Sequence, residues 1–282
     1  MNFSDDDRSE LRVILQGARQ PLPASYVRWR LEGQTQPLGW MSADRLGSFK
    51  RALPAHAPLE RLGSEYVWRA AGLNVTERSV VLQSVAIRLR DAGLITGWRD
   101  EAYSCWGHRE DPWPYSEPEL FRLERSAFRF FGLRSHAAHI HGLTSDDRMW
   151  CGTRALSKAT DPGLFDNVAA GGIPAGEDPE HCAIRELIEE AGLARPVESL
   201  ITPRFEVVTE RLEPEGWHSE RLFVFSVSVG SDEIPLNRDG EVSRFDALNA
   251  AEVIGHIRQG LFTRDAACAI AVTFSRQRAG LI

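Results

Sequence analysis

Lysine is nearly absent from this chain. Lys50 and Lys158 are the only two, and arginine carries the rest of the 33 basic charges. That imbalance reflects a GC-rich coding sequence more than a function, because composition alone rarely encodes one. Cysteine is scarce too: Cys105, Cys151, Cys182 and Cys268 stand far apart with no C-x-x-C pair. This spacing suggests neither a zinc ribbon nor a disulfide framework. The acidic start, Met1 to Arg8, lacks the apolar stretch of a signal peptide. The longest apolar run, Ala266 to Val272, is far short of the roughly 20 residues that span a bilayer. Repeats and low-complexity segments are missing. The net charge of −7 argues against nucleic-acid binding. A polyanionic small molecule stays admissible, because a bound divalent cation reverses the local field. The expectation is a cytoplasmic protein with no membrane and no nucleic-acid partner.

What is present suffices for two modest domains: 282 residues, 43% apolar and 26% charged, with thirteen Phe and eight Trp. Six of the tryptophans fall in the first half. Tyr26 to Leu31 alternates like a strand, as does Thr96 to Trp106. Ser79 to Ala92 reads as a helix closed by Gly93. After the proline-rich break at Glu110 to Ser116, Glu117 to Phe131 reads as a helix ended by Gly132. The division expected is an N-terminal α+β domain over 1–125, a candidate for substrate selectivity because aromatic residues crowd it, and a second domain over 126–282 that carries the chemistry.

The second half reads strand, strand, helix, strand, strand, helix. Strands are predicted over 137–142, 148–155, 205–210 and 221–229, and helices over 180–191, 246–259 and 264–278. This mixed order fits an α/β/α sandwich better than a doubly wound parallel sheet. The expected class is α+β.

One segment, 171–193, carries the chemistry. Asp178 suits an N-cap, Pro179 the first helical position and Gly192 the C-cap. On the helix between them, Ile184, Leu187, Ile188 and Ala191 make one apolar face. Glu186, Glu189 and Glu190 share the other. Like charges so placed repel, and a hard divalent cation relieves them. Arg185 flanks the cluster, and Gly171 and Gly172 let backbone approach a ligand closely. The alternative is a solvated acidic face.

The whole pattern decides between these. It matches G-x5-E-x7-R-E-U-x-E-E-x-G-U (U aliphatic) at every fixed position. The chain therefore resembles a Nudix hydrolase. The resemblance implies Mg²⁺, with Mn²⁺ as alternative, and attack of water on a small-molecule diphosphate. It gives Glu186, Glu189, Glu190 and the Gly171 carbonyl to the metal, Arg185 to orienting Glu186, and Glu177 to a supporting place. Among catalytic roles, Glu189 and Arg185 come with the box. Glu241 is a general-base candidate from a loop; the alternative is that Asp239-Gly240 simply makes a hairpin turn.

The lead-in is similar to the thiamin-pyrophosphokinase-associated Nudix branch: Lys158, Pro162-Gly163 and Asp166-Asn167 running into Ala170-Gly171-Gly172. That branch carries an uncharacterised N-terminal domain and implies thiamin diphosphate or its oxidised analogues as substrate. Arg154, Lys158 and Asn167 become substrate-binding candidates. An isopentenyl-diphosphate isomerase would need a cysteine where Val168-Ala169-Ala170 stands. A hydrolase of another nucleoside diphosphate derivative and a ligand-sensing module that does not cleave are the rival readings; a homodimer is compatible with either. His136, His139 and His141 admit a metal reading or a packed-strand reading, the latter better supported for want of a fourth ligand. The first-half tryptophans admit ring stacking or core packing.

Overall fold

The computed structural model describes residues 1–158 and 160–275. Ser4 caps the first helix, α1 (Asp5–Gln16), through a capping box with Asp7. An N-terminal sheet follows in the order β2-β1-β4-β3, from β1 (Tyr26–Leu31), β2 (Gly39–Ser42), β3 (Leu59–Leu62) and β4 (Glu65–Trp68). Helices α2 (Ala43–Ala52) and α3 (Val75–Asp91) accompany it. Trp29, Trp68, Phe49 and Phe131 fill the core there. A hairpin of β5 (Ala102–Cys105) and β6 (Phe121–Glu124) and a short helix α4 (Ala127–Phe131) lead out of this half.

Three expectations change here. The strand predicted over 96–106 shrinks to β5, because Gly97 (φ 70°) and Asp100 (φ 57°) adopt left-handed backbone that no strand tolerates. The helix predicted over 117–131 splits into β6 and α4. Phe121 and Leu123 are buried at a spacing of two, opposite Cys105 and Tyr103. Only α4 and its left-handed Gly132 (φ 64°) keep the helical reading. The helix predicted over 246–259 begins later: Asp246 lies in a strand, and Asn249 with Glu252 forms the capping box that starts the helix.

The second half is a mixed sheet in the order β11-β12-β7-β8-β13. Its strands are β7 (Arg134–Thr144), β8 (Met149–Arg154), β9 (Phe165–Asp166), β10 (Ala169–Gly172), β11 (Ile201–Glu213), β12 (Gly216–Val229) and β13 (Val242–Leu248). β10 pairs with β7 and β9 with β8, while β12 runs parallel to β7. Alternation along the strands sends Ala138, Ile140, Phe223 and Phe225 to one face, where α5 (Pro179–Ala191) covers them. Ala137, Leu222 and Val224 face the other way onto α7 (Arg264–Phe274). With α6 (Ala250–Arg258) this is the expected α/β/α sandwich of an α+β chain. The predicted continuation of α7 to 278 lies outside the described residues. Among those residues no helix is long and apolar enough to cross a membrane.

The first helix belongs with the second half. Phe3 and Leu11 sit in one core with Met149, Ile270 and Phe274, and the buried Arg8 guanidinium donates to the Phe274 carbonyl at 2.9 Å. A second clasp is Arg134 at the start of β7. It is 2% exposed and donates to Glu210 (2.9 Å), to Glu110 (3.1 Å) and to the Arg109 carbonyl (2.7 Å). Burial first, then the neighbouring Arg134, pushes the adjoining His108 down to about 4. Burial likewise holds His136 and His141 down to about 3.

These histidines set a pH dependence. Their folded values lie below the ordinary 6.5, so the folded chain binds fewer protons than the unfolded one. The stability is complete above about pH 6.5 and is lost as pH falls toward 4 and then 3, by up to about 1.4 kcal/mol per pH unit per group. Urea midpoints should therefore drop steadily from pH 7 to pH 5. A midpoint constant across that range would refute the neutral, buried state of these rings.

Candidate active site

Asp178 caps α5 by accepting from the His181 amide (2.8 Å), Pro179 occupies the first turn, and Gly192 closes the helix at φ 66°. The rotation of this helix differs from the amphipathic reading. Cys182, Ala183, Leu187 and Ala191 are buried, and Ile188 is 43% exposed. Small side chains let this stripe pack close to the sheet, and the same stripe carries Glu186 and Glu190 inward, 9% and 7% exposed. Glu189 stays at the surface. The three carboxylates thus straddle the edge of the buried stripe rather than lying together on a solvated face.

Glu186 can be buried because β10 offers backbone without side chains. A Cβ at Gly171 would collide with the Glu186 carboxylate, and one at Gly172 would collide with the Tyr103 hydroxyl. Glu190 accepts from the Ala170 amide at 2.8 Å. Burial raises the pKa of Glu186, with Arg185 opposing it, and pushes Glu190 well above the usual carboxylate range against the Ala170 hydrogen bond. Arg185 reaches Glu186 but not Glu190, which has the Ala170 amide and the more distant Lys158 charge; a hard cation would supply the countercharge that two buried carboxylates still lack. The donor set fits: oxygen ligands only, on a rigid helix and beside bare backbone. Glu190 also gathers with Asp239 and Glu241, ligand atoms lying within 4.8 Å of one another.

Arg185 is the hub. It donates to Glu177 (2.9 Å), Glu186 (2.7 Å) and Glu189 (3.0 Å). Lys158 pairs with Glu241. Burial raises the pKa of Glu241, but the Lys158 hydrogen bond and charge outweigh it and leave the carboxyl below its ordinary value. Arg154 binds Asp166 (2.9 Å) and the Thr160 carbonyl (3.0 Å). All these groups except Glu177 line a cleft of about 400 Å³.

Asn167 does not join them. It is 2% exposed and sits within the fold, accepting from His139 Nδ1 (2.8 Å) and donating to His141 Nδ1 (3.2 Å). Alternation along the chain points Asp166 to the cleft and Asn167 away from it, so of the pair quoted from the sequence the other member faces the ligand space. The same chain of bonds, with His141 Nε2 on Thr273 (3.2 Å), accounts for His139 and His141 as packed strand residues. His136 meets Tyr115 at 2.9 Å.

Sequence reasoning looked to the first-half tryptophans for a substrate wall and named none of the residues that form it: Arg99, Glu101, Tyr103, Arg125 and Arg129 line the cleft, and no tryptophan does among the described residues. Trp29 and Trp68 are core, and Trp106 and Trp113 pack edge-on with each other. Asp239, beside the quoted Glu241, had a visible signal in the Asp-Gly-Glu turn. The arginines had none, because they are ordinary surface residues until the hairpin β5–β6 and α4 are placed.

Residues 133–266 match the NUDIX domain family, and residues 63–135 match a domain of unknown function, DUF4743. Nudix hydrolase 24, chloroplastic, of Arabidopsis thaliana is 30% identical over 73% of this chain and 55% of its own length. Nudix hydrolase 20, chloroplastic, of the same plant is 30% identical over 73% of this chain and 54% of its own. The chain thus spans about half the length of the relatives it matches. A Deinococcus radiodurans crystal structure is similar at 18% identity and a TM-score of 0.39, over 49% of this chain and 80% of that one.

The geometry predicts how cation binding responds to substitution. Glu190→Gln and Gly171→Ala should each weaken Mn²⁺ binding by at least about tenfold, the first by removing a charged ligand and the second by displacing Glu186. Titration calorimetry with the folded variants checks this, and unchanged Mn²⁺ affinity in both would remove the cation from this site.

Proposed function

With residues 133–266 identified as a NUDIX domain, we propose that the chain is a divalent-metal-dependent pyrophosphohydrolase of a small-molecule diphosphate. The observation that carries this is the pair of buried, undercompensated carboxylates, Glu186 against the side-chain-free backbone of Gly171 and Glu190 on the Ala170 amide. Glu186, Glu189, Glu190 and the Gly171 carbonyl would hold Mg²⁺, with Mn²⁺ as the alternative, and the cation supplies neutralisation of the diphosphate oxygens. Arg185 keeps Glu186 and Glu189 in register through its bonds to both and to Glu177. Arg154 and Lys158, on the same wall, bind phosphate oxygens.

A water attacks one phosphorus, the bridging P–O bond breaks, and a monophosphate and inorganic phosphate leave. Glu189 and Glu241 have side chains about half exposed in the cleft, 51% and 46%, and one of them takes the proton of the attacking water. Lys158 positions Glu241 for this role by anchoring its carboxylate.

The substrate we propose is thiamin diphosphate or an oxidised analogue. The lead-in residues Lys158, Pro162-Gly163 and Asp166-Asn167 support it. The aromatic wall is Tyr103 rather than a tryptophan, with the Arg125 guanidinium 5.1 Å from its ring centre. That Arg99, Tyr103, Arg125 and Arg129 line the cleft supports a selectivity role for the first half.

A panel of thiamin diphosphate, its oxidised analogues, ADP-ribose, a sugar nucleotide and a dinucleoside polyphosphate tests this with Mg²⁺. The thiamin compounds should give the highest kcat/KM. If one of the other three exceeds all of them by tenfold, about 1.4 kcal/mol of transition-state stabilisation, the substrate is wrong while the hydrolase stands. No cleavage of any compound, read chromatographically as its monophosphate products, would remove the hydrolase itself.

A further inference from the structure

Away from the α5 carboxylates, a second cluster adjoins the same cleft, two of its members on the wall and a buried histidine behind them. Glu220 on β12 and Asp265 at the start of α7 face it. His218, two residues before Glu220, is 4% exposed, and its Nε2 has no hydrogen-bond partner. That nitrogen lies 3.9 Å from Glu220 Oε2 and 3.9 Å from Asp265 Oδ2. Thr209, cross-strand from Glu220 and fully buried, likewise has an unpartnered Oγ1. An orphaned buried donor is costly unless something completes it.

Each member of the trio is fixed by another residue. Arg129 Nε donates to His218 Nδ1 at 3.3 Å. Arg211 holds Asp265 with two bonds, 2.9 and 3.1 Å. Ser135 donates to Glu220 Oε1 at 2.7 Å. The Arg129 contact decides the chemistry. A neutral imidazole accepting at Nδ1 carries its proton on Nε2. That nitrogen is therefore a donor, and a metal ion there would need its lone pair. The two arginines also oppose an added cation. The site presents one N–H donor flanked by two carboxylate acceptors.

We propose that His218, Glu220 and Asp265 recognise the amino-substituted heterocycle of the substrate through its N=C–NH₂ edge. The ring nitrogen accepts from His218 Nε2, and the two amino hydrogens go to Glu220 and Asp265. This deepens the proposed function and rests on its cleft. The sheet register supports the reach. Glu220 pairs with Ser135 on β7, and Gly171 pairs with Ala138 from the other side. Three residues along β7 and two strand spacings across separate them on the order of 14 Å. A diphosphate at the α5 carboxylates therefore leaves room for a ring system before the trio. An aminopyrimidine and an adenine both carry this edge.

The test is equilibrium binding by calorimetry on the full chain, which needs no turnover. The probes are thiamin monophosphate against its 4-oxo-pyrimidine analogue, and AMP against IMP. In the wild type, the amino member of one pair should bind at least about tenfold more tightly than its oxo partner. Preference in the thiamin pair assigns the edge to an aminopyrimidine, and preference in the AMP pair alone assigns it to adenine. Glu220→Gln, whose amide can donate to an oxo group, should shrink the preference to under about threefold. The proposal is overturned if neither pair shows a preference, if Glu220→Gln leaves it unchanged, or if that variant binds one Mn²⁺ fewer. The wild-type comparison does not depend on any variant folding. Failure of the hydrolysis panel with the amino preference intact would remove the hydrolase reading and leave this one.

Discussion

The site depends on one electrostatic constraint: two glutamates of α5 are pressed into the protein against backbone that has no side chains. Burial disfavours their charge; Arg185 opposes it at Glu186, and the Ala170 amide and the Lys158 charge oppose it at Glu190. Everything near them follows. Position 171 must be glycine, because any Cβ would occupy the Glu186 carboxylate. The small residues Cys182, Ala183 and Ala191 keep α5 close to the sheet. The arrangement is costly as it stands, and a bound cation would offset that cost.

The cleft is a joint product of both halves of the chain. Tyr103 of the first half rests its hydroxyl over Gly172, and Arg125 and Arg129 stand across from the α5 carboxylates. Such a wall is useful only if the halves keep a fixed relation. Arg134 with Glu110 and Glu210 supplies one clasp, and Arg221 donating to the Asp111 (2.8 Å) and Arg109 (2.9 Å) carbonyls supplies another. Buried arginines suit this work because several donors in one plane tie distant carbonyls and carboxylates together. Polar walls on both sides also explain why no tryptophan is needed there. A ligand there would meet charged and hydrogen-bonding groups more than apolar ones.

Much of this was legible in the residues. The limits of α5, its caps, its glutamates and its arginine are set by signals within one stretch of chain, and local signals survive folding. The mixed sheet and its two covering helices followed from the order of periodic segments. Where reading failed, the failure was a choice between periods or faces. Glu117 to Phe131 carries apolar residues that satisfy both a strand and a helix, and pairing with β5 decided for the strand in its middle. In Asp166-Asn167 both residues could bind a ligand, and alternation decided which one faces it.

The sequence by itself determined the capped helix α5 with its glutamates, the Nudix pattern of residues 171–193 and the sandwich, because capping, spacing and periodicity act over a few residues. Tertiary structure alone decided how α5 is rotated, which is why Glu186 and Glu190 are buried and Ile188 is not. It also brought His218, Glu220 and Asp265 together from β12 and α7, and Tyr103 onto Gly172. Those contacts join residues more than forty positions apart, and no local energy term distinguishes them until the sheet register and the helix packing are fixed.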